Sequence, residues 1–251
     1  MNENIRIASE LVKIAKSLVS EETNLLDEAA GEGKKYILHG KEGHLWRIQA
    51  CKDFGGVHKG NFGGLVESEK NLSHDGNCWA YRDAKVYGNA QVSDNAKVFE
   101  NAQVYGDAKV YGDAKVFDNA KVYDKAQVCG NADVCGVARV YGSADIYGRA
   151  HVDAKVYGDT QVYGKAQVFD NVNVYENAKV YGDAKVYHGV SVRGSAYIYG
   201  NAEVYGNVKV YEDAQIYEDA KVYGNALVHG KVRVHGKAKV KYDTDEGDIT
   251  K

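Results

Sequence analysis

Ala84-Lys85-Val86-Tyr87-Gly88-Asn89 is the phrase that decides the fold, and Ala108-Lys109-Val110-Tyr111-Gly112-Asp113 restates it. Versions of it recur from about Cys78 to Val240. An internal repeat of this kind sets the architecture before any other feature is weighed. Within the unit, Ala84 and Val86 alternate with Lys85 and Tyr87. Period two means strand, with the small and branched apolar residues on one face and the polar and aromatic ones on the other. Gly88 and Asn89 are the residue types that best tolerate a left-handed backbone, so the chain turns there. Strand and corner together make one side of a triangular coil. Three such sides give a coil of about 18 residues, and coils stack at the strand spacing of about 4.8 Å.

The register runs from Cys78 and Ala80 to Ala150 and Val152. Ala154 and Val156 then come four residues on instead of six, so one corner is shortened or the coil is offset at Asp153. The six-residue register resumes and holds to Ala238 and Val240. At three units per coil the repeats make about nine coils. Every third unit shares a face, which places Tyr87, Tyr105, Tyr123 and Tyr141 in one outer ladder. Tyr163, Tyr181, Tyr199 and Tyr217 form a second, and Phe169, Tyr187, Tyr205 and Tyr223 a third.

The rest of the composition bounds the class. The chain has 251 residues, a formal charge of -3, 20 tyrosines and 28 glycines. Charge so balanced gives no bulk electrostatic case for nucleic acid or membrane. Proline is absent, which suits a chain that is almost all paired strand. The four cysteines, Cys51, Cys78, Cys129 and Cys135, match no zinc spacing and no disulfide framework. Cys129 and Cys135 fall on adjacent faces. With neither signal peptide nor membrane-length apolar run, a cytoplasmic location is expected.

A solenoid exposes strand edges at both ends, which must be covered or charged. Residues 1–30 carry Ile5, Ala8, Leu11, Val12, Ala15, Leu18 and Val19 at helical spacing. This amphipathic helix either packs on its own solenoid, joins a self-association seam, or docks another protein. Gly31 to Gly33 reads as a linker. Residues 31–77 form a small β-rich cap with Trp46, Ile48, Phe54, Phe62 and Leu65 as core candidates. The solenoid occupies 78–241. Lys231, Arg233, Lys237, Lys239 and Lys241 crowd its last coils, and an acidic polar tail, 242–251, follows. Positive charge on an edge discourages further strand pairing. An acidic partner, a nucleic-acid contact, or the acidic tail of a neighbour is the alternative use.

The aliphatic residue followed four places later by a small one, as Val86 and Ala90, resembles the hexapeptide-repeat left-handed β-helix. The runs Lys52-Asp53-Phe54-Gly55-Gly56-Val57 and Gly63-Gly64-Leu65-Val66, with Gly76-Asn77-Cys78-Trp79, are similar to the lead-in of hexapeptide-repeat proteins of unassigned role in bacterial and bacteriophage genomes. The resemblance covers residues 36–241 and implies an all-β fold, a single-stranded left-handed parallel β-helix with a cap. It also implies an acyltransferase-like label, without an activity. One departure stands out: tyrosine or phenylalanine follows the aliphatic residue, where the family's enzymes usually have a small or acidic one.

Those enzymes use a histidine near a loop that breaks the coil, at a cleft between subunits of a trimer. No long loop interrupts these repeats. Among His39, His44, His58, His74, His151, His188, His229 and His235, only His151 sits at the offset, beside Asp153. It is the candidate catalytic base. His188 takes a corner position usually held by glycine. His229 and His235 are one unit apart, hence on different faces, so no metal site is expected. The tyrosine ladders offer either mutual stacking or flat amphipathic surfaces. A stacking platform for bases would need a basic groove as well.

These readings favour a non-enzymatic structural protein that self-associates, as trimer or polymer, through aromatic-rich faces or solenoid ends. It needs no cofactor, and its helix could take a protein partner. One alternative is a trimeric coenzyme A-dependent acyltransferase. Another is a phage-type module that captures a host protein or a small nucleotide, in a host cytoplasm or on a virion.

Overall fold

The computed structural model describes residues 3–31 and 33–250. Helix α1 (Glu3–Ala30) leads to β1 (Tyr36–Glu42), β2 (Leu45–Ala50) and β3 (Phe62–Val66). From Trp79 onward the chain is a parallel β-solenoid, each coil giving one short strand to each of three sheets. Two sheets hold 10 strands; the third holds 12 because β1, β2 and β3 extend it.

The interior follows from the alternation. Ala84, Val86, Ala90, Val92 and most of their equivalents along the chain lie at 0–1% exposure, Ala154 and Val240 being slightly more open, while Lys85 and Tyr87 point outward. Alanine and valine alternate because the triangular interior is narrow, and each buried valine contributes about 1.5–3 kcal/mol. Strands pair in register one coil apart, Lys85 with Gln103 and Lys121 with Gln103. The backbone N–H of Tyr87 donates to Val104 O at 3.0 Å, a bond type repeated along the stack.

The stack is about ten turns, one more than the repeat count suggests. The added coil comes from the lead-in: Leu65 pairs with Lys85 and Leu72 bridges Val92, so residues before Cys78 already run as a coil. The acidic tail also continues the solenoid. Thr244 bridges Val228, and Asp248–Ile249 pairs in parallel with Arg233–Val234.

The offset at Asp153 is a shortened corner. Arg139 pairs with Lys155, Asp145 with Gln161 and His151 with Gln167, each a step of 16 residues. Beyond those pairs the step returns to 18, as Lys155 pairs with Asn173. The sheets pass through without losing alignment.

The two ends differ. At the N-terminal end, β1 and β2 pair antiparallel, β2 and β3 likewise, and β3 turns parallel onto Lys85–Val86. Trp79, Tyr36, Ile48 and Leu72 are fully buried there, and the Tyr36 hydroxyl donates to Leu72 O at 2.8 Å. Of the expected cap core, Ile48 and Leu65 are buried, and Trp46 and Phe54 half-buried. Phe62 is not core: it is 53% exposed, with its ring set edge-to-face against His39. Trp79 and Ile48 already fill the space beneath β3, closing to within 2.6 Å of where a Gly63 Cβ would stand. At the C-terminal end, Lys239–Val240 is the outermost strand of its sheet and Tyr242 stands 76% exposed.

Over residues 7–18, helix α1 does not pack on the solenoid. Its described side chains from Ile7 to Leu18 are all exposed, and its neighbour in the rest of the chain is β1. Of the expected apolar stripe, Ala8, Leu11, Val12, Ala15 and Leu18 are therefore open to solvent. The side chains of Ile5 and Val19 lie outside the described residues. No described helix is long and apolar enough to cross a membrane.

Candidate functional site

The outer surface is organised by three aromatic ladders, built because one strand position per coil carries a ring and coils repeat in register. Tyr87, Tyr105, Tyr123 and Tyr141 stack with centroids 4.8–4.9 Å apart and planes within 6°. This ladder crosses the shortened corner, since Tyr141 stacks on Tyr157 at 4.8 Å and Tyr157 on Tyr175 at 5.1 Å. Arg193 then lies 4.8 Å from the Tyr211 ring, and Tyr211 stacks on His229. In the second ladder Tyr163, Tyr181, Tyr199 and Tyr217 stack at 4.7–4.9 Å, preceded by Tyr147 and closed by His235. The third, Phe169, Tyr187, Tyr205 and Tyr223, is looser, at 5.2–5.5 Å.

Mutual stacking uses up the ring faces. What each ladder offers outward is a line of ring edges and hydroxyls, so a base or sugar has no free face to stack on except at the ladder ends. The hydroxyls are tied in where an acceptor follows: Tyr187 donates to Glu203 Oε1 at 2.6 Å, and Lys221 Nζ donates to Glu203 Oε2 at 2.6 Å. That pairing holds the Glu203 carboxyl below its usual range, through Lys221 first and Tyr187 second. Burial pushes Tyr181 up to about 12, helped by Tyr163 and Tyr199 on either side.

Beside the third ladder lies a shallow polar trough of about 520 Å³ lined by Lys165, Asp183, Lys185, Glu203 and Lys221. Two pairs form within it, Lys165 with Asp183 at 3.5 Å and Lys221 with Glu203, and Asp219 on its wall balances the charge of Lys185. No uncompensated cluster of one sign is left to hold an anion or a metal.

The third face loses its aromatics around the shortened corner. Cys135 and Asp153 stand where rings would continue from Phe117 towards Phe169. The Val137 N–H donates to Asp153 Oδ1 at 2.9 Å, and the Gly136 N–H to Asp118 Oδ2 at 2.8 Å. Thus Asp153 anchors the corner rather than facing a ligand. His151 Nε2 lies 3.5 Å from Cys135 Sγ, a pairing the sequence reading missed. The step of 16 residues across the shortened corner was its only sequence signal. Burial, then Asp153, Asp118 and Asp133, push the Cys135 thiol up to about 12. A nucleophilic cysteine needs the opposite shift, so this dyad is not primed for covalent chemistry. His151 itself stands exposed on a flat strand.

The other histidines are dispersed. His188 turns a corner at φ 58° with Nε2 3.2 Å from Asp170. His229 and His235 cap different ladders, each beside a glutamate, Glu212 and Glu218. Cys129 and Cys135 follow strands of different sheets. Among the described residues no group of histidine, cysteine and carboxylate side chains is arranged to hold a metal ion.

A second feature unmarked in the sequence is Lys35, fully buried beneath the cap. Its Nζ donates to Cys78 O at 2.9 Å and sits 3.2 Å from Cys78 Sγ. Burial lowers the lysine and raises the thiol. These bonds stitch the start of β1 to the first coil, a structural task.

Three segments of the chain, residues 90–106, 214–230 and 220–236, match the family model of the YdcK beta-solenoid repeat. No curated protein matches the chain.

Proposed function

We propose that this chain is a non-enzymatic structural β-solenoid that assembles with copies of itself. The observation that carries the reading is the continuity of the outer surface. Three aromatic ladders run along parts of the prism, and two of them cross the shortened corner without a break there, the first giving way to Arg193 further on. Such regularity builds a stiff object with long, flat sides. The histidine at the offset, His151, stands on an open strand beside a thiol held in its protonated form. This supports a structural role over an acyl-transfer one.

The ladder edges, with Tyr87, Tyr105, Tyr123 and Tyr141 on one side and Tyr163, Tyr181, Tyr199 and Tyr217 on another, are the solenoid's contribution to lateral contact. The ends contribute less. The N-terminal end is sealed by Trp79 and the cap strands, and the C-terminal edge carries Lys237, Lys239 and Lys241. Light scattering across a concentration series tests the reading. The expected result is a particle of more than one chain; a mass of one chain at high micromolar concentration overturns it.

A further inference from the structure

We infer that α1 is the assembly device: it bundles with the same helix of at least two further copies of this chain, in a parallel bundle of three or four. This rests on the self-associating reading above and assigns its principal interface to the helix, the ladder edges adding lateral contact between copies already joined.

The first observation is spacing. Ile7, Leu11, Ile14 and Leu18 follow steps of four, three and four; Glu21 takes the next d position, and Leu25 the a position after it. That is a heptad seam with leucine at a and isoleucine at d, a combination that favours three- and four-stranded bundles over pairs. The seam overlaps the stripe of Ile5, Ala8, Val12, Ala15 and Val19, which sits one residue round the helix. Positions d, a, e and b together span about 160° of the circumference at 100° per residue. A two-stranded coil covers only the narrow a/d strip. An apolar arc this wide is buried only when each helix has a neighbour on both sides, as in a bundle of three or more.

The second observation is that the chain itself leaves this arc uncovered. Ile7 is 52% exposed, Leu11 61%, Val12 53%, Ile14 52% and Leu18 60%. A helix of 28 residues is about 42 Å long, too much apolar face for one isolated helix to hold in water. The join to the cap runs through Gly31 (φ +60°) and Gly33 (φ +90°), with open space at both, so neighbouring solenoids have room to sit around the bundle. Closed cyclic symmetry sets the helices parallel.

The third observation is charge. Along α1, three basic residues (Arg6, Lys13, Lys16) stand against six acidic ones (Glu3, Glu10, Glu21, Glu22, Asp27, Glu28). A helix that lies on an anionic membrane needs the reverse balance. Position e carries Ala8 and Ala15, small enough for close approach, and turns acidic at Glu22 beyond the seam of residues 7–18.

The test compares the full chain with Leu11→Glu/Leu18→Glu and with Lys13→Ala/Lys16→Ala, by sedimentation and light scattering. Each sample is also checked for solenoid integrity by tryptophan fluorescence. The expected result is three or four times the single-chain mass of 27.5 kDa for the full chain and the lysine variant. The glutamate variant should fall to one chain with fluorescence unchanged. If that variant keeps the oligomeric mass, the solenoid faces hold the copies; the helix inference falls and the structural reading stands. A two-chain mass lost in the variant overturns the bundle. A single-chain mass for the full chain overturns both readings. So does a helix that binds vesicles of phosphatidylcholine and phosphatidylserine while the chain stays monomeric.

Discussion

At the residue scale, the corners show what the repeat demands. Gly182 sits at φ +75°, and a Cβ there would lie 2.9 Å from the backbone N and 3.0 Å from the backbone O of Gly200 in the next coil. Substitution by alanine therefore meets both backbone strain and a contact that rigid main chain cannot relieve. We expect Gly182→Ala to cost about 2 kcal/mol, lowering Tm by roughly 4–8 °C in a domain of this size. A Tm within 1 °C of the parent, read by calorimetry, would show that the corner can open. Acidic residues take several of these left-handed corners, and five of them make the same short bond. Asp94, Asp118, Glu176, Glu212 and Glu218 accept the N–H of Gly112, Gly136, Gly194, Gly230 and Gly236, 18 residues on. The bond offsets the left-handed strain. Glu212→Ala keeps the strain and loses the bond, so it should be less stable than Glu212→Gly, which loses both, by about 1 kcal/mol. Equal urea midpoints for the two variants would remove the carboxylate from the account.

At the element scale, the ladders and the shortened corner make separate predictions. Tyr87, Tyr105, Tyr123, Tyr163, Tyr181 and Tyr199 all have their phenols raised, burial being the first cause in each. The sign follows from linkage. Below about pH 10 the phenols are protonated in folded and unfolded chains alike, and their contribution is fully present. Above it the unfolded chain ionises first, so stability falls as pH rises from about 10 towards the 12 of Tyr181. Tyrosinate absorbance should appear late, and the urea midpoint should drop steeply between pH 10 and 12. A native titration centred near 10 would mean that the stacks do not hold. Reinserting Gly-Asn between Asp153 and Ala154 restores the six-residue spacing. Pairing is already in register on both sides of the corner, so the insertion should change Tm by only a few degrees. A collapse of the far-UV signal would show that the short corner is required.

Much of this element scale was legible in the sequence. The Ala-Val alternation dictates the interior because period two leaves no other face for those residues. The ladders within each block follow from counting three units. Their continuation through Tyr141 and Tyr157 did not, because a deletion in a corner leaves open whether the sheets slip or the corner absorbs it. Cys135 meeting His151 depends on the same choice. In sequence the helix shows a stripe along Ile5, Ala8, Leu11, Val12 and Leu18, and the seam of Ile7 and Ile14 runs parallel beside it. An apolar arc that wide looks, in sequence, like a helix packed on its own domain. Only the exposed side chains of α1 separate the two cases.

At the scale of the whole molecule, each coil touches only its neighbours, so stability is close to a sum of coil and interface terms. The two ends are not equal in that sum. At one end Trp79, Tyr36, Ile48 and Leu72 form a buried cluster, and Lys35 bonds the cap to the first coil. At the other, the last coil is covered only by the Thr244 bridge and the short pairing of Asp248–Ile249. Unfolding should begin at the C-terminal coils and move towards the cap. Trp46 and Trp79 both report on the capped end, so fluorescence should change at higher urea than far-UV dichroism, which averages over all coils. Hydrogen exchange should release the amides of residues 227–249 first and those around Trp79 last. Coincident transitions with uniform exchange would instead mean that the coils are coupled tightly enough to unfold as one unit. The α1 bundle would then have little to gain from the cap beside it. If the ends do unfold in order, the copies are joined at the firm end, and the frayed end is the one held furthest from the junction.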